Sequence, residues 1–207
     1  MNTIKKIFFD SKSKEEYADL YIKYLVSVIT NISTAEISRF IDTMILAQTE
    51  GSSIYFIGNG GSASTASHFA NDISIGTKSI RAPFRAISLC DNQAIITAIA
   101  NDYGYEYIFS KQLEIVLDKG DVVVAISASG NSKNLIKAAK VAKIMGATTV
   151  SLTAFDGGEL KRISDIAIHI PTKDGEYGPS EDAHMILDHL VSNYLMYFVE
   201  EAELSEQ

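Results

Sequence analysis

The chain is poor in cysteine, in basic runs and in long apolar stretches, and each shortage narrows what it can be. Cys90 is the one cysteine among 207 residues, which excludes an internal disulfide framework and fits a reducing compartment, so a cytoplasmic location is expected. The net charge is −8 and no run of Lys or Arg interrupts it, which argues against a nucleic-acid partner. The apolar part of residues 1–10 is too short for a secretory signal or a membrane span, so no membrane partner is expected. No Gly-x-Gly-x-x-Gly fingerprint occurs, and no glycine loop ends in Gly-Lys-Ser/Thr. No nucleotide cofactor is therefore expected. No repeat of solenoid period and no low-complexity segment is visible. What remains is an ordinary globular composition, 46% hydrophobic and 21% charged, with enough chain for one α/β domain and an appended helical piece.

The hydrophobic period changes once, near residue 53. Before it, residues 13–48 read as helical. Ser13 is a candidate N-cap, and Tyr17, Leu20, Tyr21, Tyr24, Leu25 and Val28 recur at helical spacing. The pattern breaks at Asn31, and Ser33 with Glu36 has the form of a capping box before a second stripe of Ile37, Phe40, Ile41, Met44 and Ile45. These two helices predict a hairpin (residues 1–50) lying outside the sheet, with stripes wide enough to pack on a partner subunit. After residue 53, strand-like runs at 54–57, 85–89, 122–126, 149–153 and 166–170 alternate with helical patterns at 62–75, 93–101, 108–117, 133–145 and 159–163. A last helix is predicted over 180–203, with the acidic tail after Glu200 as its fraying end. Strands alternating with helices imply a parallel sheet with right-handed crossovers, and such sheets bind ligands at the C-terminal ends of their strands.

The glycine- and serine-rich elements all fall at such ends. Gly58-Asn-Gly-Gly-Ser62 follows a short apolar strand and opens a helix; its turn and the helix N-terminus present N–H groups and a positive dipole to an anion. Ser127-Ala-Ser-Gly-Asn-Ser132 repeats that logic after the buried run 121–126. Either loop alone also reads as a tight turn with solvent-facing serines; two at equivalent strand ends favour a phosphate-bearing ligand. A third constellation joins His68 and Asp72, one helical turn apart, with Glu181, His184 and His189 on the last helix. Glu181 and His189 are two turns apart and share a face, with His184 to one side. Such a set suits a divalent metal such as zinc, and suits equally a general acid and base flanking a sugar, where a surface ion pair is the plain alternative. Ala100-Asn-Asp-Tyr-Gly104 reads by itself as a helix C-terminus.

Taken in order, Gly58-Asn-Gly-Gly-Ser62, His68-Phe-Ala, Ala100-Asn-Asp-Tyr-Gly104, Ile126-Ser-Ala-Ser-Gly-Asn-Ser132, Leu152-Thr-x-x-Asp-Gly-Gly158 and Glu181 with His189 resemble the sugar isomerase (SIS) domain family, over nearly the whole chain. Within it the likeness is to the phosphoheptose isomerases, which interconvert sedoheptulose 7-phosphate and D-glycero-D-manno-heptose 7-phosphate in the making of lipopolysaccharide, capsule or other glycans. The resemblance implies a flavodoxin-like, doubly wound, five-stranded parallel sheet and a homotetramer with sites between subunits. It implies Ser62, Ser127, Ser129 and Ser132 as phosphate binders, and Asn59, Gly60, Gly61, Asn101, Asp102, Glu181 and the Ala128 backbone as substrate contacts. It implies His68, Asp72, Glu181 and His189 as the residues that bind Zn²⁺ and carry catalysis, Asp72 as base and His189 as acid. Two positions depart from the family pattern: Asp72 stands where glutamate is usual, and Glu181 where glutamine is usual. Some family members are non-catalytic, among them a factor that associates with the bacterial replication initiator. Those tend to lose the acid–base pair, and this chain keeps both halves, which favours an enzyme, on a heptose phosphate or on another phosphosugar.

Overall fold

The computed structural model describes residues 1–79 and 82–205. The chain opens with helices α1 (Thr3–Asp10), α2 (Lys14–Ile29) and α3 (Thr34–Glu50). The strands are β1 (Ser53–Gly58), β2 (Arg85–Ser88), β3 (Val122–Ser127), β4 (Thr148–Thr153) and β5 (Ile166–His169). Between and after them come α4 (Gly61–Asn71), α5 (Gln93–Asp102), α6 (Ser110–Val116), α7 (Lys133–Met145), α8 (Gly158–Ile163) and α9 (Tyr177–Ser205). No helix of the described residues is long and apolar enough to cross a membrane.

The strands form one parallel sheet of order β2-β1-β3-β4-β5. Alternation along each strand splits its side chains between two cores. Ile54 and Phe56 of β1 and Val122, Val124 and Ile126 of β3 face a core shared with α3, α4 and α9. Tyr55, Ile57, Val123 and Ala125 face a second core closed by α6, α7 and α8. The chain leaves β1 toward one edge of the sheet and β3 toward the other, so the switch point lies between these two strands.

Four expectations from the sequence need correction. The N-terminal helices number three, because residues 3–10 form α1 behind the N-cap Asn2, whose side chain accepts from Lys5 N–H. The hairpin does not lie outside the sheet: Ile37, Phe40, Ile41, Met44 and Ala47 of α3 are buried in the core on the sheet's own face. That stripe is wide because it covers strands; α2, one layer out, leaves Ile22 and Val26 exposed. The helix predicted over 62–75 is α-helical only to Asn71, and a π-helical turn, Asp72–Gly76, continues it. The last helix starts earlier than predicted, at Tyr177, and runs to Ser205, so the last two residues of the predicted fraying tail lie outside the described residues.

Glu176 ties this last helix to the first two. It is buried, and its carboxylate accepts from the Thr3 N–H, from the Tyr24 hydroxyl and, at 3.0 Å, from the Lys173 N–H. Burial alone would raise its carboxyl, but the hydrogen bonds from Tyr24, Lys173 and Thr3 outweigh burial and hold it below the ordinary carboxylate range. A depressed carboxylate stabilises the fold above its unfolded pKa and loses that contribution as pH falls through its folded one. Glu176→Gln is expected to cost about 2 kcal/mol at neutral pH, the usual worth of hydrogen bonds to a charged group. In urea unfolding the gap between wild type and variant should close as pH is lowered below about 4.

Candidate active site

The loops after β1 and β3 flank the switch point, and each opens a helix whose N-terminus carries no side-chain cap. Gly60, in the N-cap position of α4, has φ 56°, a left-handed backbone that glycine takes without strain. Ser132 is the N-cap of α7, yet its hydroxyl makes no capping hydrogen bond. Ser62 and Ser127 are buried. Ser127 Oγ accepts from Gly130 N–H at 3.2 Å, and Ser129 Oγ from Asn131 N–H at 3.3 Å, which curls the β3 loop back on itself. Gly130 packs so close to the β4 loop that a Cβ there would lie 2.0 Å from the Gly157 carbonyl oxygen. The two loops are joined through Asn59 and Asn134, which exchange hydrogen bonds of 3.0 and 2.8 Å, and Asn59 Oδ1 also accepts from the Tyr105 hydroxyl at 2.9 Å. Beside them Asn59, Tyr105, Ser132, Lys133 and Asn134 line an open cleft of about 500 Å³.

Further along α4, His68 and Asp72 meet residues of α9. His68 Nε2 lies 3.3 Å from Asp72 Oδ2, 3.4 Å from His189 Nε2 and 3.9 Å from Asp188 Oδ2. One ligand atom from each of His68, Asp72, Asp188 and His189 falls within 4.8 Å of all the others. Asp72 sits where α4 widens into its π-helical turn, a distortion frequent at functional sites. Asp188 is fully buried, and neither carboxylate oxygen makes a hydrogen bond to any described residue. Burial first, and the neighbouring Asp72 charge second, push its carboxyl up to about 7. His184, one turn before Asp188, is also buried; burial pushes its imidazole down to about 4 against a smaller upward pull from the Thr153 backbone.

The SIS domain model matches residues 16–154, two thirds of the sequence. The chain belongs to the SIS domain family. It is 44% identical over 138 residues to the phosphoheptose isomerase of Helicobacter pylori (strain P12), covering 67% of this chain and 71% of that one. It is 34% identical over 192 residues to the phosphoheptose isomerase of Aquifex aeolicus, covering 92% of this chain and 93% of that one. Its structure is similar to that of the phosphoheptose isomerase from Neisseria gonorrhoeae, with a TM-score of 0.79 and 28% identity over 88% of this chain and 98% of that one.

This SIS domain brings His68, Asp72 and His189 together, but not Glu181. Glu181 lies two turns before His189, and its carboxylate is seated against the β1 loop: a Cβ on Gly61 would lie 2.9 Å from Glu181 Oε2. Ala128 is buried, and its carbonyl accepts from Ala154 N–H at 2.8 Å. Asn101 and Asp102 are exposed at the end of α5, where Asn101 Nδ2 donates to Asp102 Oδ1 at 2.8 Å and the Tyr103 and Gly104 N–H groups close the helix on Ile99 O. Asp188 was not among the candidates from the sequence, although it stands seven residues after Glu181 and four after His184, spacings that put these side chains near one face of the helix. A usable signal was there: Ala183, Leu187, Val191 and Leu195 form the buried stripe of α9, and His184 and Asp188 interrupt it with polar groups.

Because the Ser132 hydroxyl is not spent on capping, Ser132→Ala is expected to leave the unfolding free energy within about 0.5 kcal/mol of wild type, where losing a working serine cap costs about 1 kcal/mol. Urea unfolding checks this, and a loss of 1 kcal/mol or more would mean that the hydroxyl is committed inside the protein.

Proposed function

We propose that the protein interconverts sedoheptulose 7-phosphate and D-glycero-D-manno-heptose 7-phosphate by proton transfer through an enediol. The observation that carries this reading is the meeting of Asp72, in the turn that continues α4, with His189 of α9, at the far end of the helix that begins at the serine-lined loops. His68 is six residues beyond Ser62, about 9 Å along a helix. The carbon chain of a sugar phosphate crosses that distance. Ser62, Ser127, Ser129 and Ser132, with the two helix N-termini, hold the phosphoryl group, so binding energy far from the reacting carbons positions them. Asn59, Gly60, Gly61, Glu181 and the Ala128 backbone line the path of the sugar, and Asn101 and Asp102 are left to contact it from the end of α5. Asp72 takes the proton from C1 of the ketose and returns it to C2, while His189 protonates the C2 oxygen and then takes up the proton that leaves the C1 hydroxyl.

Zinc fits this donor set. A tetrahedral ion with bonds near 2.0–2.1 Å separates its ligand atoms by about 3.3 Å, and His68 Nε2 is 3.4 Å from His189 Nε2 and 3.3 Å from Asp72 Oδ2. His68, Asp72 and His189 would hold Zn²⁺ there, and the ion would supply Lewis-acid polarisation of the carbonyl oxygen. We further read the protein as a cytoplasmic homotetramer. Exposed Ile22, Val26, Tyr194 and Tyr197 on α2 and α9 support an assembly, and light scattering on the eluted protein should give four times the 22.6 kDa chain mass.

Asp72→Asn is expected to lower turnover by at least about 100-fold while leaving substrate binding measurable, because the amide keeps the shape and loses the base. In deuterated water the wild type should place deuterium at C2 of the product from sedoheptulose 7-phosphate, and the variant should not. Full activity in the variant would remove the role given to Asp72, and exchange only with a shorter ketose phosphate would change the substrate.

A further inference from the structure

We propose that Asp188, and not Glu181, is the second carboxylate ligand of the metal centre between α4 and α9. This rests on the reading of that cluster as a metal site and goes beyond it, because it replaces one member of the ligand set that the family resemblance implies.

The first observation is an orphaned charge carrier. Asp188 has a side chain with no exposed surface, and neither of its oxygens makes a hydrogen bond to any described residue. Buried carboxylates are normally paired or bound to metal. The ionisable groups facing it are the His68 imidazole, with Nε2 at 3.9 Å, and the carboxylate of Asp72. A divalent cation among the four side chains balances both carboxylates and gives Asp188 the partner it lacks.

The second observation is geometric. A carboxylate oxygen of Asp188 belongs to the set of four atoms within 4.8 Å of one another, and Glu181 is not part of that set. Asp188 points inward from the buried stripe of α9, and the longer His189 side chain reaches the same place from the exposed side of the helix. Adjacent helical residues diverge by about 100°, so two such neighbours converge on one point only when one is buried beneath it and the other reaches over it. Glu181 instead fills the space above Gly61, at the mouth of the β1 loop. The resulting set of two imidazoles and two carboxylates suits zinc. It comes entirely from α4 and α9 of one chain, so loading needs no second subunit, and Glu181 stays free to face the sugar.

The test uses the full-length protein stripped of metal, with zinc added in competition with a chromophoric chelator, and melting temperature followed in parallel. Asp188→Asn is expected to weaken zinc binding by more than about 100-fold, the upper end of what even outer-shell partners of a metal cost. Glu181→Ala should stay within about threefold of wild type. Without zinc, Asp188→Asn should melt at or above the wild-type temperature, because a buried unpaired carboxylate has gone. Zinc should then raise the melting temperature of wild type and Glu181→Ala, but not of Asp188→Asn. Wild-type affinity in Asp188→Asn, or a hundredfold loss in Glu181→Ala, would overturn the assignment while leaving the metal centre in place. Failure of the wild type to bind zinc would remove the metal centre and the assignment together. If Asp188→Asn does not fold, the Glu181→Ala measurement decides, since its affinity must survive if Glu181 is not a ligand.

Discussion

The seating of α4 between the sheet and α9 is the constraint on which the site depends. Phe69 is its anchor: fully buried, it packs edge-on to Phe40 of α3 at 5.9 Å and against Phe56 of β1 at 4.9 Å. Aromatic pairs at these separations add to the burial of large apolar area, so the rotation of α4 about its axis is tightly held. With Phe69 facing inward, its neighbour His68 is turned about 100° away, to the edge where α9 passes. The stripe of Ala183, Leu187, Val191 and Leu195 presses α9 onto the same core and brings Asp188 and His189 to that edge. An apolar contact thus sets the distance between polar groups.

At the other end of α4 the two loops themselves carry no charge. Residues 58–64 and 127–132 contain no acidic or basic side chain. In a chain of net charge −8, two helix N-termini and their N–H groups bring a positive field to these loops without any charged side chain in them. The Asn59–Asn134 exchange and the close approach of Gly130 to Gly157 hold the loops after β1, β3 and β4 in one arrangement before any ligand arrives. Binding then costs little loop ordering, which is the general advantage of a preformed site.

The sheet was legible because parallel strands buried on both faces are written as continuous apolar runs, and 54–57 and 122–126 are such runs. The loops were legible because glycine and serine clusters mark strand ends. His68 and Asp72 were legible as a pair because one turn of helix relates them. The role of α3 was misread: its stripe is as wide as that of an interface helix, and periodicity does not say what lies opposite. The π-helical turn at Asp72 has no counterpart in hydrophobic period.

The sequence by itself determined the class of fold, the place of the glycine- and serine-rich loops and the candidates on α4, since each is a local pattern of period, turn chemistry or spacing within one element. It also specified which residues of α9 are polar. Only the tertiary structure decided which of those polar residues meet His68 and Asp72. The choice between Glu181 and Asp188 turns on the rotation and axial offset of one helix against another, and these are set by core contacts among residues distant in the chain, such as Phe40 with Phe69. Spacing along one helix carries no record of its phase against a second.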